Sequence, residues 1–358
     1  MRHDQLNMKC EHKIRSKGEQ GFSLLELVVS MMLFMIVTGA VWGVLRAAQM
    51  SRSVVNQQVD LQKNVRLGLN LIGRDTYNAG FGYPLRNTVV LPDNRISTLL
   101  AIPVDTDSTR DTVPPIIAGN NITLNTFNTA ANIRTDQVTF LFKDSTFNLV
   151  GTGAAAVSQP LSINAATTNG SGIDEIVPIS GSNTLCRVND IYLITGNSGS
   201  TLGVATAMSG TNIVQFSNGD VLAINQTGTS GPLRSITVPA SIQRVLMVTY
   251  FVAADGTLTR REYANAATGS YIDEPLVYNV EDFQIKYVMD TGTLLDNPSA
   301  GPDGIAGTLD DTQSNLAAVR QIRVTISVRS NEKNSANQPY RQTMTATFST
   351  RNLGYDAS

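Results

Sequence analysis

Histidine and cysteine are almost missing from this chain. Its 358 residues include two of each, and His3, His12 and Cys10 all stand within the first 21 positions. If that stretch is a removable leader, the remainder has no histidine and a single cysteine, Cys186. A Ser-His-Asp or Cys-His nucleophile pair and a His/Cys zinc cage need side chains such a chain does not possess. An intramolecular disulfide is excluded on the same count. Aromatic residues make up only 6%, and 27 Lys and Arg are balanced by 29 Asp and Glu with no basic cluster. A nucleic-acid groove tracks phosphates with positive charge and stacks bases on rings, so none is inferred. Low charge, 16%, with 42% hydrophobic residues leaves a chain able to bury a sizeable core.

The most informative segment lies near the N-terminus. Residues 1–21 are polar and carry a net charge of +2 from Arg2, Lys9, Lys13, Arg15 and Lys17 against Asp4, Glu11 and Glu19. From Phe22 to Leu45, 24 residues, the only charge is Glu26. At about 1.5 Å rise per residue such a helix spans roughly 36 Å, enough for a hydrocarbon core of about 30 Å. The basic leader holds the N-terminus in the cytoplasm and places everything after Arg46 outside. An ordinary secretory signal puts small residues after its apolar run; here Gly21 stands immediately before it. An acidic side chain at the centre of a spanning helix costs about 2.5–3.5 kcal/mol on insertion scales, less near an end. Glu26 has no cation four residues to either side, so a partner is implied. Cleavage between Gly21 and Phe22 would create one, the new α-amine of Phe22, in the same chain or a neighbour.

Gly21-Phe22-Ser23-Leu24-Leu25-Glu26, after a basic leader and before an apolar run, resembles the class III signal of type IV prepilins and type II secretion pseudopilins. The resemblance implies that a membrane aspartyl peptidase cuts after Gly21 and methylates Phe22, and that Glu26 pairs with the N-terminal amine of an adjacent subunit during filament assembly. A plain signal anchor is the alternative. Leu61 to Arg66, Asp75 to Gly82, Val280 to Tyr287 and the terminal Thr350-Arg351-Asn352-Leu353 are similar to PilW-type minor pilins. That similarity implies a pilin-like α+β fold, a long N-terminal helix, membrane-embedded in its first half, packed on a β-rich antiparallel head. It implies a structural and assembly role, not an enzyme. The expected partners are the prepilin peptidase, other minor pilins, the major pilin and an inner-membrane assembly platform. The subunit would be a single-pass inner-membrane protein that primes a type IV pilus and ends near its tip, serving adhesion, twitching motility or DNA uptake. The cysteine pair usual near a major pilin's C-terminus is absent. A J-type pseudopilin of type II secretion and a tip adhesin with ligand-binding loops stay open.

The helix should continue beyond the membrane run. Met50, Val54, Leu61, Val65 and Ile72 recur at spacings of 4, 7, 4 and 7 on an otherwise polar segment, and no proline occurs between Phe22 and Tyr77. Gly80-Phe81-Gly82-Tyr83-Pro84 ends it. Gly39 and Gly43 form a GxxxG that can let another helix approach, and Trp42 suits an interfacial anchor. The expected division is a leader, 1–21; a membrane and filament-core helix, 22–45; an amphipathic stem, 46–79; and a head, 80–358.

The head reads as β-rich. Gln137 to Phe142, Asp190 to Thr195 and Val245 to Val252 are strand candidates, and Ala253-Ala254-Asp255-Gly256 turns the last into Thr257 to Tyr263. Phe283 to Tyr287, Ile322 to Val328 and Met344 to Phe348 alternate apolar with polar residues, as half-buried antiparallel strands do. Tracts rich in small polar residues at 144–186 and 196–231 read as loops or irregular edge strands.

Other constellations carry less. Gly151-Thr152-Gly153-Ala154-Ala155-Ala156 followed by Asp174 matches a dinucleotide fingerprint, but Pro160 stops any helix that would follow it. Cys186 beside Arg187 could have a lowered thiol pKa; without a histidine or second cysteine, a small buried inert thiol is the expectation. Glu281/Asp282 and Asp310/Asp311 are adjacent pairs, which strands point to opposite faces rather than across a cleft. Asp290, Asp296, Asp303, Asp310 and Asp311, with Asn297 and four glycines, form an acidic loop of the ligand type calcium selects, though not at EF-hand spacing. A solvated loop is the alternative.

Overall fold

The computed structural model describes residues 21–84, 89–104, 108–125, 127, 133–164, 175–225, 231–263, 270–296, 298, 318–333 and 338–353. The chain divides into two compact units, Met1–Asn56 and Gln57–Ser358. A single helix, α1, runs Leu24–Asn78 over 55 residues.

In the first unit every residue from Gly21 to Ser53 is exposed. That surface includes Phe22, Phe34, Ile36 and Trp42, an apolar area far larger than a water-facing monomer leaves bare. The segment is long and apolar enough to cross a membrane. Met50, first of the stripe, is exposed and belongs to this unit.

In the second unit the stripe is buried from Leu61 onward. Leu61 is half-buried, and Val65 and Ile72 are fully so. The buried face of α1 also takes in Gly68, Leu69, Gly73, Asp75 and Thr76, which an apolar-stripe reading passes over because four of the five are small or polar. Gly73 is required by close approach: a Cβ there would lie 2.5 Å from the Phe348 ring, and one at Gly68 would lie 2.7 Å from Val277.

Two sheets build most of the head. β1 (Ile116–Leu124), β2 (Arg134–Lys143), β3 (Ile191–Gly196), β4 (Gly199–Val204), β5 (Ala240–Val252), β6 (Leu258–Tyr263) and β7 (Tyr271–Val277) belong to a ten-stranded sheet, with short strands at Val89–Leu91, Asp111–Thr112 and Leu161–Ile163. β8 (Val280–Met289), β9 (Leu294–Leu295), β10 (Val319–Lys333) and β11 (Pro339–Ser349) form a four-stranded sheet in the order β9-β8-β10-β11. β5 is the axis of the larger sheet. Its first half pairs antiparallel with β3 and its second half with β2 on one side and β6 on the other. The β5–β6 hairpin closes with Val252 opposite Leu258, and Gly256 supplies the positive φ of 82° that its turn needs.

Both sheets contribute to one core under α1. Val65, Leu69 and Ile72 pack with Phe140, Val248, Tyr250 and Leu258 from the larger sheet and with Phe283, Ile285, Ile322, Val324 and Ile326 from the smaller. The alternation read in β8 and β10 is therefore real: Phe283, Ile285 and Tyr287 face inward, as do Ile322, Val324, Ile326 and Val328. A second core covers the other face of the larger sheet through Leu141, Ile191, Leu193, Met247 and Tyr263, with Ile96 and Leu100 of a short helix, Arg95–Leu100.

The small-residue tracts are not mere loops. They hold β4, short strands at Ile176–Pro178, Ala207–Ser209 and Ile213–Gln215, and Phe147, Leu161, Ile163, Val177 and Phe216, which build a third core with Tyr192 of β3. The apolar residues of these tracts fall at irregular spacings among Ser, Thr, Asn and Gly, so no single period announces that core.

Candidate functional site

The segment around Glu26 has a defined local geometry. Gly21, Phe22 and Ser23 are non-helical, and α1 begins at Leu24. The Ser23 carbonyl accepts from Leu27 N–H at 3.2 Å, which makes Ser23 the residue that caps the helix. Leu25 N–H donates to Ser23 Oγ at 3.3 Å, and Ser23 N–H donates to Glu26 Oε2 at 3.3 Å. The second is the back-bond of a capping box, and the first is an N-cap bond made to the second helical residue rather than the third. Glu26 also sits in the first turn, where the partial positive charge of the helix end favours an anion. The Ser30 hydroxyl donates to the Glu26 carbonyl one turn on. Ser23-x-x-Glu26 before an apolar run is itself a readable capping signal. A cation four residues away is not the only partner open to this carboxylate, and in the uncut chain the helix terminus is what it binds.

Phe22 is 83% exposed, and a Cβ at Gly21 would meet nothing within 4 Å. Among the described residues nothing packs over the Gly21–Phe22 bond. Gly39 and Gly43 likewise face open space.

Of the acidic-loop residues, Asp290 and Asp296 are described; Asn297, Asp303, Asp310 and Asp311 lie outside the described residues. Asp296 lies 3.0 Å from Lys286 Nζ, a cation supplied by β8 rather than by the loop, and both side chains are exposed. Among the described residues no three His, Cys, Asp or Glu are grouped so as to hold a metal ion.

The remaining polar groups serve the fold. Glu281 is buried and accepts from Arg341 Nε at 2.7 Å and Nη2 at 3.1 Å, while Asp282 accepts from Gln284. The two neighbours thus have separate partners, as adjacent strand residues should. Cys186 is buried, and burial pushes its thiol up to about 11 despite a hydrogen bond with Tyr192 and the nearby Arg244. Gly151 to Ala156 form the loop of a short hairpin, Leu149–Val150 with Val157–Ser158, through one 3₁₀ turn; among the described residues no crossover helix follows. Asp174 lies outside the described residues. Sequence reasoning missed Asp136. It is buried on β2, accepts from Asn121 N–H at 2.9 Å and Ile285 N–H at 2.6 Å, and thereby ties β1 and β8 together. Burial raises its pKa to about 6, against the lowering effect of those two N–H bonds and with a further push from Asp282 and Asp296.

Residues 16–42 match the family model of the prokaryotic N-terminal methylation motif. No curated protein matches the chain. The matched stretch contains Gly21, Phe22 and Glu26 and supports a type IV pilin-like protein or pseudopilin, a structural subunit made as a substrate for a prepilin peptidase. A single apolar helix joined to that motif fits a protein anchored in the inner membrane.

Proposed function

We propose that this chain is a minor pilin that primes assembly of a type IV pilus and is retained near its tip. The observation that carries the reading is the junction at residues 21–26: an exposed Gly21–Phe22 bond, then a capped apolar helix with one carboxylate, ahead of a β-rich head. Cleavage after Gly21 leaves a mature chain that starts with Phe22, whose amine is the cation best placed to replace Ser23 N–H as the partner of Glu26. Exchange of an internal hydrogen bond for an intersubunit ion pair in lipid would favour insertion of the subunit beside another rather than alone. Other minor pilins, the major pilin and an inner-membrane platform are the partners this role requires. Adhesion, twitching motility and DNA uptake are the outputs such a filament serves.

The experiment is complementation of a strain deleted for this gene. Restored surface pili with the chain recovered in the sheared filament fraction support the minor pilin. Normal pili with a loss of protein secretion identify a J-type pseudopilin instead. An isolated head that binds cell surfaces while pili assemble normally without the chain would favour the adhesin.

A further inference from the structure

We propose that the outer edge of β11 is a docking strand to which an extended segment of a neighbouring filament subunit adds, continuing the four-stranded sheet. That the partner is a filament subunit rests on the pilin reading; that the edge is unpaired among the described residues rests on the backbone itself.

β11 is the last strand of its sheet and pairs with β10 without a register break from Arg341 opposite Arg329 to Ser349 opposite Gln321. Tyr340 N–H donates to Ser330 Oγ and Thr350 N–H to the Arg320 carbonyl, each at 3.0 Å. The even-numbered amides therefore point toward β10. In an antiparallel pair the alternate residues point the other way, so the amides of Arg341, Thr343, Thr345, Thr347 and Ser349 face outward. Among the described residues no strand pairs with that side. It presents a straight row of donors and acceptors about 27 Å long at about 3.4 Å per residue.

Natural sheets rarely leave such an edge bare, because it templates pairing with another chain. The other long edges here are blunted. β7 carries Asp273, Glu274 and Pro275 in succession and pairs through a register shift. β1 breaks register between Gly119 and Thr123, around Asn121 at a φ of 53°. β9 is two residues long. On β11 such devices are confined to its start, where Pro339 and Arg341 stand and the pairing shifts register between Arg329 and Lys333; Gln342-Thr343-Met344-Thr345-Ala346-Thr347-Phe348 contains no charge, proline or bulge.

The two faces of β11 specify what would add to it. On one face Thr343 and Thr345 continue a hydroxyl ladder, 2.8 Å to Ser327 and 3.0 Å to Thr325. On the other, Met344, Ala346 and Phe348 pack on the core under α1 yet remain only half-buried. A strand of about seven residues alternating polar with apolar side chains would extend the ladder and finish covering Met344 and Phe348. Strand addition of this kind draws affinity from main-chain bonds and specificity from alternate side chains. Anchoring by α1 would hold partners side by side and raise their effective concentration.

The test uses the full-length chain in its filament-forming host. Thr343→Cys provides an exposed thiol, Cys186 being buried, and is treated with a short bifunctional thiol or amine cross-linker during assembly. Thr345→Pro removes one outward amide and leaves the β10 bonds of Met344 and Ala346 in place. The expected results are a cross-link from residue 343 to a different subunit and at least a tenfold loss of incorporation for Thr345→Pro at unchanged abundance. Wild-type incorporation of Thr345→Pro, or no cross-link from Thr343→Cys in assembled material, overturns the proposal. A cross-link only to a second copy overturns the choice of partner and makes the edge a self-association surface. If the proline variant is degraded, the cross-link alone decides. Glu26→Leu in parallel separates the two readings: if it too assembles normally, the pilin reading fails, whereas its failure beside a normal Thr345→Pro removes only the docking strand.

Discussion

Asp75, one turn from the end of α1, places Oδ2 2.7 Å from the Tyr250 hydroxyl and 3.0 Å from Arg260 Nε. The carboxylate and the guanidinium are both buried, at 1% and 6% exposure. The helix is thereby locked in rotation and register on the larger sheet by one charge. Arg260 is further held by Glu262 at 3.1 Å and Glu274 at 3.2 Å.

Breaking that lock should be costly. Asp75→Ala leaves the Tyr250 hydroxyl unpaired and Arg260 with only the more exposed Glu262 and Glu274, so the cost should approach, without reaching, the ~3–5 kcal/mol of a wholly uncompensated buried charge. Arg74, whose side chain is 58% exposed and also touches Asp75, should contribute within about 1 kcal/mol. Urea denaturation of a soluble fragment begun near residue 48, itself expected to fold, measures both. Equal effects would show that the ion pair does not hold the helix.

Gly73→Ala tests the close approach of α1 to β11. Alanine normally gains about 1 kcal/mol over glycine inside a helix. Here its Cβ would lie 2.5 Å from Phe348, and overpacking of that kind costs about 1–3 kcal/mol. The net expectation is a lower melting temperature, and a rise would mean that the contact yields.

Asp136 gives the head a pH dependence of definite sign. Its folded pKa of about 6 lies above the ordinary 3.8, so its contribution is fully present below about pH 4 and is lost as pH rises through 6. At about 1.36 kcal/mol per unit the loss is about 3 kcal/mol. The difference in stability between the natural chain and Asp136→Asn, followed from pH 4 to 7, should shrink toward neutral pH by that amount. Titrating groups that do not interact with Asp136 cancel in this difference.

The helix and the main strands were legible because each rests on a local period: a proline-free run with apolar residues at helical spacing, then alternation in β8, β10 and β11. The N-terminal methylation motif was legible because six consecutive residues, Gly21 to Glu26, announce it. What the sequence concealed depends on distance. Asp75 looks like any polar-face residue of an amphipathic helix, and its partner Arg260 is 185 positions away. Asp136 looks like a solvated strand residue until Asn121 and Ile285 close on it. The third core was legible only where Tyr192 and Ile194 lie in a strand, because Phe147, Leu161, Val177 and Phe216 come from separate short segments with no shared period. Ser23-x-x-Glu26 differs from all of these, since its capping bonds need no distant information; the charge of Glu26 is simply a louder signal than its hydrogen-bonding reach.

Substitution can separate the capping bond of Glu26 from the intersubunit ion pair proposed for it. Glutamine preserves the capping bond to Ser23 N–H but carries no charge, whereas leucine loses both. Glu26→Gln and Glu26→Leu should both insert in the membrane and both fail to assemble. Only Glu26→Leu should show faster amide exchange at Ser23. Assembly by the glutamine variant at normal abundance would show that hydrogen bonding, not ion pairing, is what the filament requires.

Mass spectrometry of the N-terminal peptide of the assembled protein tests whether the chain is made as a precursor cut between Gly21 and Phe22. The expected peptide begins at Phe22 and carries one methyl group on its α-amine. A peptide that retains residues 1–21, or an N-terminus near residue 46, would contradict it.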